Sequence, residues 1–506
     1  MEIQIPYSIL FAFFSLLFLV LIKPSRLKKS NKPLPPGPWK LPVIGNLHQM
    51  VGPSLPHHIM RDLANKYGPL IHLQLGQTSN IIISSSEMAK EIMKTHDQIF
   101  ANRPIYLAAK IVGYDGIDVG FAPYGHRWRQ LRKICTLELL SVKRVQSFRN
   151  IREEQIGSLM KYITEHEGSV INLHKQFFPL ANSVVARAAI GKSKNVDDVV
   201  YFMQKTMELA TGLGVEDLFP SLKFLPVITG LKRKLEKLHE LGDGILQEVI
   251  AEHRERNDKR SEDGDDEAHQ EDLVDVLLRV QKENDLDIHI CDDTIKSIIQ
   301  DMFFGATETT ATILEWAMAE LLRNPETMKE AQAEVRKVFG NKGYVEETEL
   351  HKLKYTDAVI KEILRLHPPL PLLVPRENFE TWEINGYKIP SNSRIIVNAW
   401  ALGRDPKYWN EVEKFQPQRF LDPSTDYNFK GTNHQYIPFG SGRRICPGSS
   451  FGYAVIDLAI AKLLYHFDWK LPDGMKPEDL DMEETFGNTA SRKNHLCVVP
   501  TVVYHP

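Results

Sequence analysis

The stretch FGSGRRICPG at residues 439–448 places a cysteine, Cys446, among glycines and prolines that keep it out of a regular helix. Its Sγ is therefore expected to project from a fixed loop. Gly442 and Gly448 let backbone approach a flat ligand closely. Arg444, two residues before the cysteine, brings cationic donors suited to an anionic group on that ligand. Pro447 stands at the start of a helical run over 449–465, a natural first-turn position. Cys446 then falls at a helix amino end, where unpaired amides lower a thiol pKa and donate to sulfur. A phosphate-binding glycine loop is the nearest alternative, but neither GxGxxG nor GKS/T spacing occurs here.

Three other patterns could serve such a ligand. Glu362-x-x-Arg365 puts an acid and a guanidinium on one helical face, and Trp128 and Arg132 are stacked in the same way. GATETT at 305–310 combines two small residues, Gly305 and Ala306, with a hydroxyl at Thr309 and an acid at Glu308. The hydroxyl can hold oxygen or water while the carboxylate relays a proton. A helical threonine can instead bond backward to its own backbone. The other cysteines, Cys135, Cys291 and Cys497, form no CxxC pair, so thiolate ligation of zinc or an iron–sulfur cluster is unsupported. They read as small buried hydrophobes.

The elements that must position these residues are mostly helical. Helical periodicity predicts helices at 87–95, 127–139, 151–165, 231–255, 273–282, 294–322, 325–339 and 356–366. Shorter β-branched pieces predict a strand pair at 67–75 and 78–84 and minor strands at 382–387 and 394–398. The fold class is mainly α with small β-sheets, in a single large catalytic domain. The charged stretch 254–272, RERNDKRSEDGDDEAHQED, is expected to be a solvated connection. With 25% charged and 42% hydrophobic residues and a net charge of -3, the chain reads as an ordinary folded protein without a nucleic-acid partner.

The amino end is different in kind. Residues 5–22, IPYSILFAFFSLLFLVLI, carry no charge and are followed by Lys23, Arg26, Lys28, Lys29 and Lys32. That pattern predicts a retained transmembrane helix with the rest of the chain cytosolic, rather than a cleaved signal peptide. The expected division is 1–22 as lumenal end and anchor in contact with membrane lipid, 23–38 as a basic, proline-rich hinge, and 39–506 as the catalytic domain. PLPPGP at 33–38 is stiff enough to hold that domain at a set distance from the membrane.

Phe439-x-x-Gly442-x-Arg444-x-Cys446-x-Gly448 resembles the haem-binding signature of the cytochrome P450 superfamily, and the resemblance extends over essentially the whole chain. Glu362-x-x-Arg365, Pro417-Gln-Arg419-Phe420 and the segment 305–310 occur in that family's order and spacing, closest to its microsomal plant-type branch. The resemblance implies a P450 fold, haem b with Cys446 as thiolate ligand, and a location at the endoplasmic reticulum membrane. It implies that Arg419 joins Glu362 and Arg365 in a cluster fixing the cysteine loop. It further implies that Trp128, Arg132, Arg376 and Arg444 hold haem propionates, with Phe439, Gly448 and Ala306 also against the haem. His126 reads as a residue near the haem edge rather than a ligand. The order Gly305-Ala306 departs from the more common alanine-glycine, and Phe304 adds bulk before it.

With no flavin or nicotinamide fingerprint in the chain, the resemblance implies electrons from NADPH-cytochrome P450 reductase, docked on cations around 127–133, and O2 as co-substrate. By the same resemblance the substrate pocket draws on Ile105, Ile117, Leu213, Met302, Phe304, Gly305, Leu370, Leu372, Val374, Phe486 and Thr489. Their mostly apolar character favours a small apolar substrate, of sesquiterpenoid or diterpenoid type. Phenolics, furanocoumarins and alkaloids are the alternative substrates. A haem-thiolate isomerase or dehydratase and a membrane haem sensor are the alternative functions, and neither needs the Glu308–Thr309 pair.

Overall fold

A computed structural model describes residues 32–209, 214–263, 271–283, 287–340, 342–422 and 427–506, without side chains at 260–263. Its centre is a long helix, Asp292–Arg323, from which almost every side chain between Thr310 and Leu322 is buried. A helix so apolar all round must be enclosed by others. Here the helices His174–Ile190, Pro325–Phe339, Lys354–Leu366 and Ser449–His466 surround it and share one continuous hydrophobic core.

The sheets are peripheral. Four strands pair in the spatial order Leu70–Leu75, Thr78–Ile83, Arg394–Val397 and Arg376–Glu377, with only the central pair parallel. Ile81, Ile83, Ile395 and Val397 turn one face of this sheet into a second core. Ile171–Asn172, Phe467–Lys470 and Cys497–Val502 form a three-stranded sheet, while Trp382–Ile384 with Tyr387–Ile389 and Glu484–Phe486 with Ala490–Arg492 form hairpins. The expected strand 382–387 is thus the first arm and turn of a hairpin, reversed at Asn385-Gly386, both with positive φ.

Two expectations of extent need revision. The charged stretch from 254 is not a loop at its start: the preceding helix continues as Leu231–Asp263. Arg254 binds Asp292 at 2.6 Å and Arg256 binds Asp272 and Asp275, so these charges dock the helix end onto its neighbours. Helical periodicity at 127–139 is also interrupted: the α-helix His126–Ile134 passes into a π-turn at Cys135–Leu139.

The transmembrane helix, the lipid contact and the single-pass endoplasmic reticulum placement are corrected. Among the described residues no helix is long and apolar enough to cross a membrane, and residues 5–22 lie outside them. The longest candidates are interrupted by charge, as at Asp301, Glu308, Glu315 and Glu320 of the central helix. The architecture is therefore a mainly helical catalytic domain with small sheets and no membrane-spanning element among the described residues. Of the proline-rich segment, Pro33 O accepts from Lys388 N and Pro36 O from His72 N, docking it on the sheets of that domain.

Candidate active site

Cys446 sits three residues before the helix Ser449–His466, on a loop folded by its own glycines. Gly442 has φ 68°, and a Cβ there would meet Met93 O at 2.0 Å, so no other residue fits. Cys446 N donates to Phe439 O at 2.9 Å, closing the loop. Burial pushes the thiol pKa up, while the Gly448 amide, the Arg132 guanidinium and the Ser449 amide pull it back by favouring the thiolate. A Cβ on Gly448 would come within 4.0 Å of Sγ.

Asp97 anchors this loop to the rest of the domain. Its Oδ1 accepts from Arg376 Nη1 at 2.5 Å, and its Oδ2 from the backbone of Arg443 at 2.7 Å. Arg376 also donates to Ser441 O at 2.5 Å. Nothing in the spacing of THDQIF marks Asp97 for this task; only the sheet strand Arg376–Glu377 brings its partner there.

Glu362, Arg365 and Arg419 meet in a buried cluster. Glu362 takes two bonds from Arg365, each 2.7 Å, and one from Arg419 Nε at 3.2 Å. Arg365 spends its remaining donors on Gly403 O, Val412 O and Lys414 O. Every polar atom of the pair thus has a partner, the condition under which buried charge is tolerated. The cluster ties the helix Lys354–Leu366 to the segment that leads into the cysteine loop.

Four guanidiniums, Arg103, Arg132, Arg376 and Arg444, lie close enough to repel one another, and Arg132 among them acts on Cys446. Arg444 donates to Ala101 O at 2.7 Å, Val119 O at 3.1 Å and Ala122 O, and lies 4.2 Å over the Trp128 ring. Trp128 Nε1 donates to Val119 O at 3.0 Å, and Arg132 donates to Ile445 O. Arg103 binds Gly120 O and Pro375 O at 3.2 and 2.9 Å. Burial and mutual repulsion press the Arg444 pKa down to about 9 and that of Arg103 well below its ordinary value. The nearby carboxyls of Asp118 and Asp301 are pushed the other way, chiefly by burial. The cluster therefore carries buried positive charge bonded mainly to backbone carbonyls, an environment made for an anionic ligand. Haem fits: its two carboxylates answer this charge, and the Cys446 loop offers the thiolate. Arg103 was not legible in the sequence, since a single arginine before a proline carries no spacing signal.

On the central helix, Thr309 Oγ1 donates backward to Gly305 O at 2.7 Å. Glu308 Oε1 accepts from Thr489 Oγ1 at 3.0 Å, and Thr489 lies 3.1 Å from Thr312 Oγ1. Thr489, expected to line the pocket, is buried and bound to the acid. Of the other pocket candidates, Met302, Phe304 and Ala306 pack partly buried along the main core, and Leu372 joins a smaller cluster with Phe219 and Ile396. Gly305 is exposed, and a Cβ added there would meet no atom within 4 Å, so the small residue leaves open space. Ile117 and Leu370 are half-buried, the half-buried Val374 gives its carbonyl to Arg103, and Ile105 is exposed. Phe486 lies 5.9 Å from the His57 ring, and Leu213 lies outside the described residues. His126 is exposed, 3.8 Å from Asp287.

The sequence profile of the family described as Cytochrome P450 matches residues 35–497. The chain belongs to the cytochrome P450 family. A desmethyl-deoxy-podophyllotoxin synthase of Sinopodophyllum hexandrum is 51% identical over 97% of this chain and 96% of that protein. A premnaspirodiene oxygenase of Hyoscyamus muticus is 49% identical over 97% of each chain. A tabersonine 6,7-epoxidase of Catharanthus roseus is 50% identical over 94% of this P450 and 92% of that protein. A solved zebra fish cytochrome P450 with progesterone shares the fold, with a TM-score of 0.75 over 88% of this chain and 100% of that one at 23% identity. This P450 is a plant-type haem-thiolate monooxygenase with haem b as cofactor, related to enzymes that modify terpenoids and alkaloids, and it acts on a plant secondary metabolite.

Proposed function

We propose that the P450 hydroxylates a small apolar terpenoid, of sesquiterpenoid or diterpenoid size, with electrons from an NADPH-dependent reductase. The observation that carries this reading is the turn of the Glu308 carboxylate toward Thr489. It leaves Met302, Gly305 and Ala306, spaced i, i+3 and i+4, as an uncharged face on that stretch of the central helix. A face without fixed charge favours hydrocarbon over a sugar or an amino acid. The activity for which the premnaspirodiene oxygenase is named supports the same class.

Cys446 would hold the iron through its thiolate, with Arg132, Arg376 and Arg444 taking the carboxylates of the haem. Bound there, haem supplies the activation of O2, one oxygen atom going to the substrate and the other to water as two electrons and two protons are consumed. The protons are the protein's task. Thr309 rotates its hydroxyl off Gly305 O toward the reacting oxygen, and Glu308 swings from Thr489 to bring a proton from solvent. For the reductase, Arg129, Lys133 and the exposed Arg443 form a cationic rim near the cysteine loop, suited to an acidic partner surface.

The test is product formation by the haem-loaded protein with reductase and NADPH on a panel of sesquiterpenes, diterpenes, phenolics, furanocoumarins and alkaloids. Turnover confined to the terpenes supports the proposal. Turnover confined to phenolics, furanocoumarins or alkaloids would replace the substrate class. Hydroperoxide rearrangement without reductase would overturn the reaction type.

A further inference from the structure

The segment 118–122, between the helices Leu107–Ile111 and His126–Ile134, is held from two sides. Its amides go to carboxylates. Val119 N and Gly120 N donate to Asp301 Oδ2 at 2.7 and 3.3 Å, and Phe121 N and Ala122 N donate to Asp118 Oδ1 at 2.5 and 3.1 Å. Its carbonyls go to the haem site: Val119 O accepts from Arg444 and Trp128, Gly120 O from Arg103, and Ala122 O from Arg444. We propose that Asp301 is a positioning residue for the haem, fixing the peptide between Val119 and Gly120 so that Arg444 is aimed at a haem carboxylate. This rests on the reading of Arg444 as a partner of that carboxylate.

Three observations support it. First, one peptide unit joins the two side chains. Its N–H, on Gly120, meets Asp301, and its C=O, on Val119, meets Arg444 at 3.1 Å and Trp128 at 3.0 Å. In a trans peptide these groups point in opposite directions on one rigid plane, so turning the plane at Asp301 displaces the acceptor under Arg444. Second, Arg444 has five N–H donors and spends three on the carbonyls of Ala101, Val119 and Ala122. One remains on each of Nη1 and Nη2 for a carboxylate, and the three carbonyls decide where that pair points.

Third, both acids close on Gly120. A Cβ there would lie 3.1 Å from Asp301 Oδ1 and 3.9 Å from Asp118 Oδ1, so a side chain would push the peptide away from the central helix. Asp301 Oδ1 itself accepts no hydrogen bond among the described residues, and Oδ2 takes both amides. Burial and the neighbouring Asp118 hold the Asp301 carboxyl well above its ordinary pKa. What Asp301 brings is thus an acceptor at a fixed place rather than a negative charge. An asparagine offers the same acceptor, with its amide nitrogen in the place of the unused Oδ1.

Release of haem from the loaded full-length protein to an excess of haem-free myoglobin tests this, with the haem carboxylate bending bands in resonance Raman spectra as the second readout. Asp301→Ala should release haem about tenfold faster, the lower range for losing a group that orients a cofactor's holder, and shift those bands. Asp301→Asn should match wild type on both. Asp301→Glu keeps the charge but moves the acceptor; it should release faster than Asp301→Asn, and it stands in should the alanine variant not fold. Arg444→Met should also release faster, and adding Asp301→Ala to it should accelerate release little further. Wild-type release and bands in Asp301→Ala beside fast release in Arg444→Met would overturn the proposal alone. Faster release in Asp301→Asn than in Asp301→Glu would overturn it by making charge the operative property. Wild-type release in Arg444→Met would overturn the carboxylate reading and the proposal with it.

Discussion

Glu308 accepts its hydrogen bond from Thr489 Oγ1, 181 residues away, while Thr309 beside it donates to Gly305 O. The acid proposed for the proton relay is thus held by the turn of the hairpin formed by Glu484–Phe486 and Ala490–Arg492, not by its own neighbour. Glu308→Gln should lower product formation by about a hundredfold, the lower range for loss of a positioned proton donor. Thr489→Val should lower it less and divert electrons to reduced oxygen products, and Thr489→Ser should recover coupling. The ratio of product to NADPH consumed, with the solvent isotope effect, checks the order; wild-type coupling in Thr489→Val would remove Thr489 from the relay.

The Glu362 cluster makes a stability prediction. Glu362→Gln leaves Arg365 buried with its charge uncompensated, so the variant should lose about 3–5 kcal/mol and retain haem poorly. Replacing Glu362 and Arg365 together by methionines should cost less, because no lone charge stays inside. Denaturant midpoints of the three proteins decide it, and equal losses in the single and double variants would deny the pair any special coupling.

The guanidinium cluster should reveal itself through haem rather than through the bare fold. Arg444→Met removes three bonds to backbone carbonyls, so both forms lose stability. The gap in thermal midpoint between haem-loaded and haem-free protein should nevertheless shrink, because the variant gives up binding energy available only to the loaded state. An unchanged gap would place Arg444 outside the haem contact.

Ligation itself is tested by Cys446→Ser. Reduced wild type with carbon monoxide should show the red-shifted Soret band of a thiolate-bound haem, and the serine variant should lose it. Persistence of that band in Cys446→Ser would refute the assignment.

Asp457, on the same helix that follows Cys446, gives a pH dependence. Burial, with Asp357, Glu347 and Glu334 nearby, raises its carboxyl from 3.8 to about 7. The folded state binds that proton more tightly than the unfolded chain, so this contribution is present below pH 3.8, declines through the interval and is gone above about 7. Asp457→Asn should therefore be more stable than wild type at pH 8, with the difference closing near pH 4. Parallel midpoints across that range would exclude Asp457 as the source.

By itself the sequence determined the pieces whose chemistry is local. The glycines, arginine and cysteine of residues 439–448 specify a loop at a helix start because positive φ and a proline first turn are properties of neighbouring residues. Glu362 and Arg365 share a face because helical periodicity alone puts them there, and the same periodicity over 294–322 announces a long helix. Tertiary structure decided every partnership that spans the chain: Thr489 with Glu308, Asp97 with Arg376, Arg103 with the carbonyls of Gly120 and Pro375. Each depends on which surfaces pack together, and no periodicity records it. The continuation of helix through the charged residues 254–263 follows the same rule: composition reads as solvent, but Asp292, Asp272 and Asp275 were waiting on neighbouring elements to receive those charges.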